Sequence, residues 1–209
     1  MIADRNLHRK RLLKRYPATD FITGQVTGGS TILDSFDDGA TQFLEFSTFG
    51  FGGMSIAAAG DSFSAILYDF LPLCDLSKEI GVRVIFAADA TPGATDVVEW
   101  VVLYDQADIG EALAAPATAL DTVIATHTPG HTTASRQERT GRGIINANKF
   151  DEAAKLGSLA VNIEANTLTN YGADEVKFMA LEFDYMPHLL IKAALSETQT
   201  EQTSQAASS

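Results

Sequence analysis

The nine residues "KFMALEFDY", Lys177 to Tyr185, constrain this chain more than any other stretch. Met179, Leu181, Phe183 and Tyr185 fall on one side of an extended strand, while Ala180, Glu182 and Asp184 fall on the other. A period of two is the mark of a strand with one face on a core and the other towards water. "SLAVNIEAN" repeats the scheme, with Leu159, Val161, Ile163 and Ala165 opposite Asn162, Glu164 and Asn166, and "IGVRVIFAA" groups Ile80, Val82, Val84 and Phe86. "VVEWVVLY" is different. Val98, Trp100, Val102 and Tyr104 share one face, Val97, Val101 and Leu103 the other, and Glu99 is its only charge. Such a strand is expected to be covered on both faces, by the core and by another element or subunit.

Further strands are expected at 42–48, 54–59, 62–70, 120–126 and 141–147, separated by turn signals such as "ATPGATD" and "NYGAD". Residues 105–119 and 148–157 read as loops with at most a helical turn. Long amphipathic crossover helices are missing, which disfavours a parallel sheet. The expectation is therefore an all-β fold, a two-sheet antiparallel β-sandwich, with a jelly roll as its specific form. A chain of 209 residues suits one such domain. It is placed at residues 41–192, preceded by a basic arm and irregular connection over 1–40 and followed by a polar low-complexity tail over 193–209. Within the arm, "DRNLHRKRLLKRY" has Asp4 as an N-cap, good helix formers and Pro17 as a stop, which predicts a short helix across about 5–15.

Charge is distributed unevenly along the chain. Residues 1–16 hold Arg5, Arg9, Lys10, Arg11, Lys14 and Arg15 against Asp4, whereas the whole chain has a formal net charge of −12. An acidic body of this kind repels nucleic acid, leaving only the arm to engage a polyanion. The apolar runs are too short for a membrane span, and the basic N-terminus lacks the apolar segment of a secretory signal. Cys74, the single cysteine, excludes an internal disulfide framework and is expected as a buried small hydrophobe.

The sharpest enzymatic idea is a metal held by His127 and His131 in "ATHTPGHTTASRQERTGRG". Two imidazoles four residues apart converge on a helix, but Pro129 and Gly130 break any helix between them. Glu164, Glu182 and Asp184 offer paired carboxylates, although any solvated sheet face presents the same pattern. No phosphate loop or nucleophile elbow is present, so neither a cofactor nor an enzymatic activity is expected. Arg136, Arg139 and Arg142 follow the histidines on what reads as a long connection at one end of the sandwich. On an acidic body they are expected to pair with the protein's own carboxylates or with those of a neighbouring copy.

The succession "FLPLCDLSKEIGVRVIFAAD", "TDVVEWVVLYD", "LDTVIATHTPG", "GRGIINANKF", "GSLAVNIEAN" and "DEVKFMALEFDYMP" resembles small structural proteins of tailed bacteriophages, including capsid cement or decoration proteins, over residues 62–187. The resemblance implies a jelly-roll domain on the outer surface of a phage head, binding the major capsid protein and its own copies, often as a homotrimer. In that setting Arg5, Arg9, Arg11 and Arg15 are the expected arm contacts, Trp100 and Tyr104 the packing anchors between subunits, and Arg136, Arg139 and Arg142 the pairing groups between them. The alternative reading is a carbohydrate-binding or receptor-facing module of a phage fibre, using His127, His131 and loops near Tyr171.

Overall fold

The computed structural model describes residues 10–24, 43–45, 52–56, 58–88, 95–107, 116, 118–119, 126–127, 136–150, 157–171 and 176–188. Thirteen strands run through them: β1 (Leu12–Pro17), β2 (Ile22–Gly24), β3 (Phe43–Glu45), β4 (Gly52–Ile56), β5 (Ser62–Leu67), β6 (Ile80–Ala88), β7 (Val97–Ala107), β8 (Thr118–Ala119), β9 (Thr126–His127), β10 (Arg136–Arg139), β11 (Gly143–Ile145), β12 (Ser158–Thr169) and β13 (Val176–Tyr185). Sheet A is ordered β10-β6-β13-β4-β3, with β1 also on β13 and β11 also on β6. Sheet B is ordered β2-β5-β12-β7-β8, with β9 also on β7. Every strand pairing is antiparallel, as the alternating patterns require.

The strand order is that of a jelly roll. Taking β8 with β9 and β10 with β11 as one edge position each, the eight positions from β4 onwards read 1-8-3-6 in sheet A and 2-7-4-5 in sheet B. Each sheet thus interleaves early and late strands, so that the two central strands β12 and β13 arrive last in the chain. The expected β-sandwich is the observed fold.

Apolar residues of both inner faces meet between the sheets. Phe63 of sheet B stacks on Phe178 of sheet A with ring centroids 5.2 Å apart, and Phe70 lies 4.3 Å from Phe183. Each such large side chain removed from water contributes about 1.5–3 kcal/mol, and the aromatic geometry adds to that. Cys74 is buried beside this cluster as expected, with its Sγ against the Phe70 carbonyl at 3.3 Å.

Several expectations about single elements need correction. Lys10 and Arg11 are not helical, and Leu12 to Pro17 form a strand rather than the second half of a helix. The reason is tertiary: β1 gains a full ladder along Ala180 to Tyr185 and buries Tyr16 against Phe70 and Phe183, which outweighs local helix propensity. The sandwich therefore reaches into the segment expected as an arm and connection, through both β1 and β2. Arg136–Arg139 is likewise a strand on β6, not part of a long connection. In β13 the alternation changes phase, because the register shifts between Phe178 and Ala180. The extra residue of this bulge is Met179, so Phe178 takes the inward place expected for Met179, while Leu181, Phe183 and Tyr185 keep theirs.

Candidate interaction surface

The outer face of sheet A is where the chain's charges converge. Leu181 and Phe183 point into the core, so alternation turns Glu182 and Asp184 outward, yet Glu182 is 0% and Asp184 5% exposed. The expectation of a wet face fails here because arginines cover it. Four elements supply them: β1 and the residue before it, β6, β10, and the turn between β10 and β11.

Glu182 accepts hydrogen bonds from Arg15 Nε at 2.7 Å and Arg139 Nη1 at 3.0 Å, and Arg83 Nη1 forms an ion pair with it at 3.7 Å. Asp184 accepts from Arg11 Nε at 2.5 Å, from Arg83 Nη1 at 2.9 Å, and from Arg142 through Nε at 2.8 Å and Nη2 at 3.0 Å. The Arg142 contact is a two-point fork, a geometry that lysine cannot reproduce. Arg11 also donates from Nη2 to the carbonyls of Glu79 and Asp184, at 2.7 and 2.8 Å. Burial alone raises the Asp184 carboxyl, but the bonds from Arg142 and Arg11 outweigh it and hold the group down at about 2. The same contact with Asp184 raises Arg142, so both stay charged across the physiological range.

Local structure explains how these guanidiniums reach two adjacent carboxylates. Thr140 interrupts the edge strand between β10 and β11 and bridges the gap, its N–H donating to the Val84 carbonyl and its Oγ1 accepting from the Val84 N–H, both at 3.0 Å. Arg139 and Arg142 thereby stand on either side of Thr140, one over Glu182 and the other over Asp184. Gly81 makes room beneath them. A Cβ there would lie 2.1 Å from Asp184 Oδ2 and 2.3 Å from Arg142 Nε, so only glycine lets this pair approach the strand.

A second contact pins the other side of β1. Lys14 pairs with Asp69, its ammonium 4.9 Å from the centre of the Tyr16 ring, and the Tyr16 hydroxyl donates to Asp69 Oδ1 at 2.8 Å. The Lys14 bond lowers Asp69, while burial followed by the Asp69 bond raises Tyr16. Leu12 and Leu13 remain 43% and 59% exposed on the same strand, and Tyr68, beside Asp69, is 69% exposed.

Of the residues singled out from the sequence, Arg139 and Arg142 pair with the protein's own carboxylates, one of the two arrangements expected of them. Arg11 and Arg15, expected as arm contacts, are bonded to the chain's own body as well. Arg136 sits in β10 opposite Ala88, and Arg5 and Arg9 lie outside the described residues. Trp100 and Tyr104 are not available as anchors between subunits: alternation turns them inward, where they are 0% and 1% exposed and pack near Phe86 and Phe150. His127 belongs to β9 opposite Val98, and His131 lies outside the described residues. Sequence reasoning missed Arg83 and Gly81. Alternation already put both on the outer face of β6, but nothing local showed that carboxylates would face them.

Compared with models of protein families, the chain matches none, and no curated protein matches it either.

Proposed function

We propose that this chain is a non-enzymatic structural protein of a tailed-phage head, a cement or decoration protein on the outer capsid surface that binds the major capsid protein and its own copies. The observation that carries the reading is the way β1 is fastened. Arg11 and Arg15 lock it to Asp184 and Glu182, and Lys14 and Tyr16 lock it to Asp69, on opposite sides of one strand. A pull on the N-terminal segment thus passes directly into β13, the strand at the middle of sheet A. That is the requirement for a clip that ties neighbouring shell subunits together, and Leu12 and Tyr68 offer apolar contact beside it. Arg5 and Arg9, ahead of the strand, are the basic groups proposed to meet acidic patches of the shell.

Co-sedimentation with purified expanded capsids tests this. The intact protein is expected to pellet with the capsids, and a chain lacking residues 1–9, with β1 retained, to bind more weakly at the same salt. No capsid binding by the intact protein would overturn the reading, and equal binding by the two would remove the arm from it.

A further inference from the structure

Among the described strands, lysine and arginine occur in only one of the two sheets. The strands of sheet A carry Lys14, Arg15, Arg83, Arg136, Arg139 and Lys177 beside Glu45, Glu138, Glu182 and Asp184, while those of sheet B carry Glu99, Asp105 and Glu164 and no lysine or arginine. The arginine clasp is itself unbalanced. Among the described residues, the ion pairs of this cluster set Arg11, Arg15, Arg83, Arg139 and Arg142 against Glu79, Glu182 and Asp184, five positive charges to three negative, on a chain of net charge −12. Its outermost guanidiniums, Arg15 and Arg139, have side chains 61% and 52% exposed although each already bonds Glu182. Leu13, 59% exposed, shares their face of β1 between Arg11 and Arg15.

Sheet B presents the complement. Phe63, Trp100, Val102 and Ile163 fill its inner face, so Ile66, Val101 and Leu103 lie on the outer one together with Glu99, Asp105 and Glu164, all partly exposed. We propose that the outer face of sheet A in one copy docks on the outer face of sheet B in a second copy, front to back. Leu13 meets the apolar residues of β7, and Arg15 and Arg139 meet the carboxylates around Glu164. Charge selects this arrangement, because pairing two equal faces would set arginine against arginine or carboxylate against carboxylate. The contact is heterologous, so each copy has one face of either kind to offer. The inference gives a geometry to the self-association in the proposed function and rests on that reading only for its place in a shell.

Sedimentation velocity on the purified protein and two variants tests it. Wild type is expected to associate with rising concentration, and on the order of tenfold more weakly when added salt screens the facing charges. Leu13→Asp spoils face A and Glu164→Lys spoils face B, so each alone is expected to stay monomeric at an unchanged melting temperature. Mixed in equal amounts they are expected to form a one-to-one dimer, since face A of Glu164→Lys meets face B of Leu13→Asp. A second pair, Leu13→Ser with Asp105→Lys, repeats the test if either first variant melts early. A wild type that is monomeric throughout, variants that associate like wild type, or a mixture that does not re-form a dimer would each overturn the proposal. Capsid binding by the intact chain is a separate readout, so its success alongside a failed mixture would sink only the front-to-back contact.

Discussion

Glu182 and Asp184 occupy positions that, in an ordinary half-buried sheet, would point into water; here five arginines replace the water. Removing the charge of a buried carboxylate from so closely paired a site is costly, because its arginine partners lose their compensation. Glu182→Gln is expected to lower stability by about 2–3 kcal/mol in a denaturant titration, a value below the fully buried case because Arg15 and Arg139 reach solvent. Asp184 makes the acid response predictable. Its carboxyl sits at about 2, below the ordinary value of 3.8, so its contribution is complete above about pH 4 and is lost as pH falls from there through 2. Melting temperature against pH should fall steeply in that window for wild type and more shallowly for Asp184→Asn. Glycine provides a control of geometry: Gly81→Ala, whose Cβ meets Asp184 and Arg142, is expected to cost about 1–3 kcal/mol. Gly141→Ala, with nothing within 4 Å, should stay within about 0.5 kcal/mol of wild type.

At the scale of elements, β1 shows how far local signals reach. Its residues "LLKRYP" favour a helix as well as a strand, and the decision is made by Tyr16, Arg15 and Arg11, whose partners lie more than fifty positions away. Tyr16→Ala is expected to cost about 3–5 kcal/mol through the cavity it leaves among Phe70 and Phe183. Tyr16→Phe, which keeps the ring and loses only the bond to Asp69, should cost about 1 kcal/mol. Calorimetry of the two variants separates packing from hydrogen bonding. Clean alternation in the sequence made β6 and β12 legible, while β7 was legible as an apolar run rich in β-branched and aromatic residues. The β13 bulge left no trace in the pattern, because Phe178 and Met179 are both apolar and either fits an inward place. For the same reason the arginines were legible as charges and as partners for acids, but not as one group: β1, β6 and β10 come together only in the folded sheet.

At the scale of the molecule, the jelly-roll order puts the last two strands, β12 and β13, at the centres of their sheets. Sheet A collects the basic residues of the strands and sheet B only acidic ones, which gives the sandwich two unlike outer faces. The strand fastened on both sides and the two unlike outer faces are the physical features that the proposed place in a phage shell rests on. Gold-labelled antibody against this protein, applied to intact virions and viewed by electron microscopy, tests that assignment most directly. The account predicts label over the head surface; label confined to the tail or its fibres would contradict it.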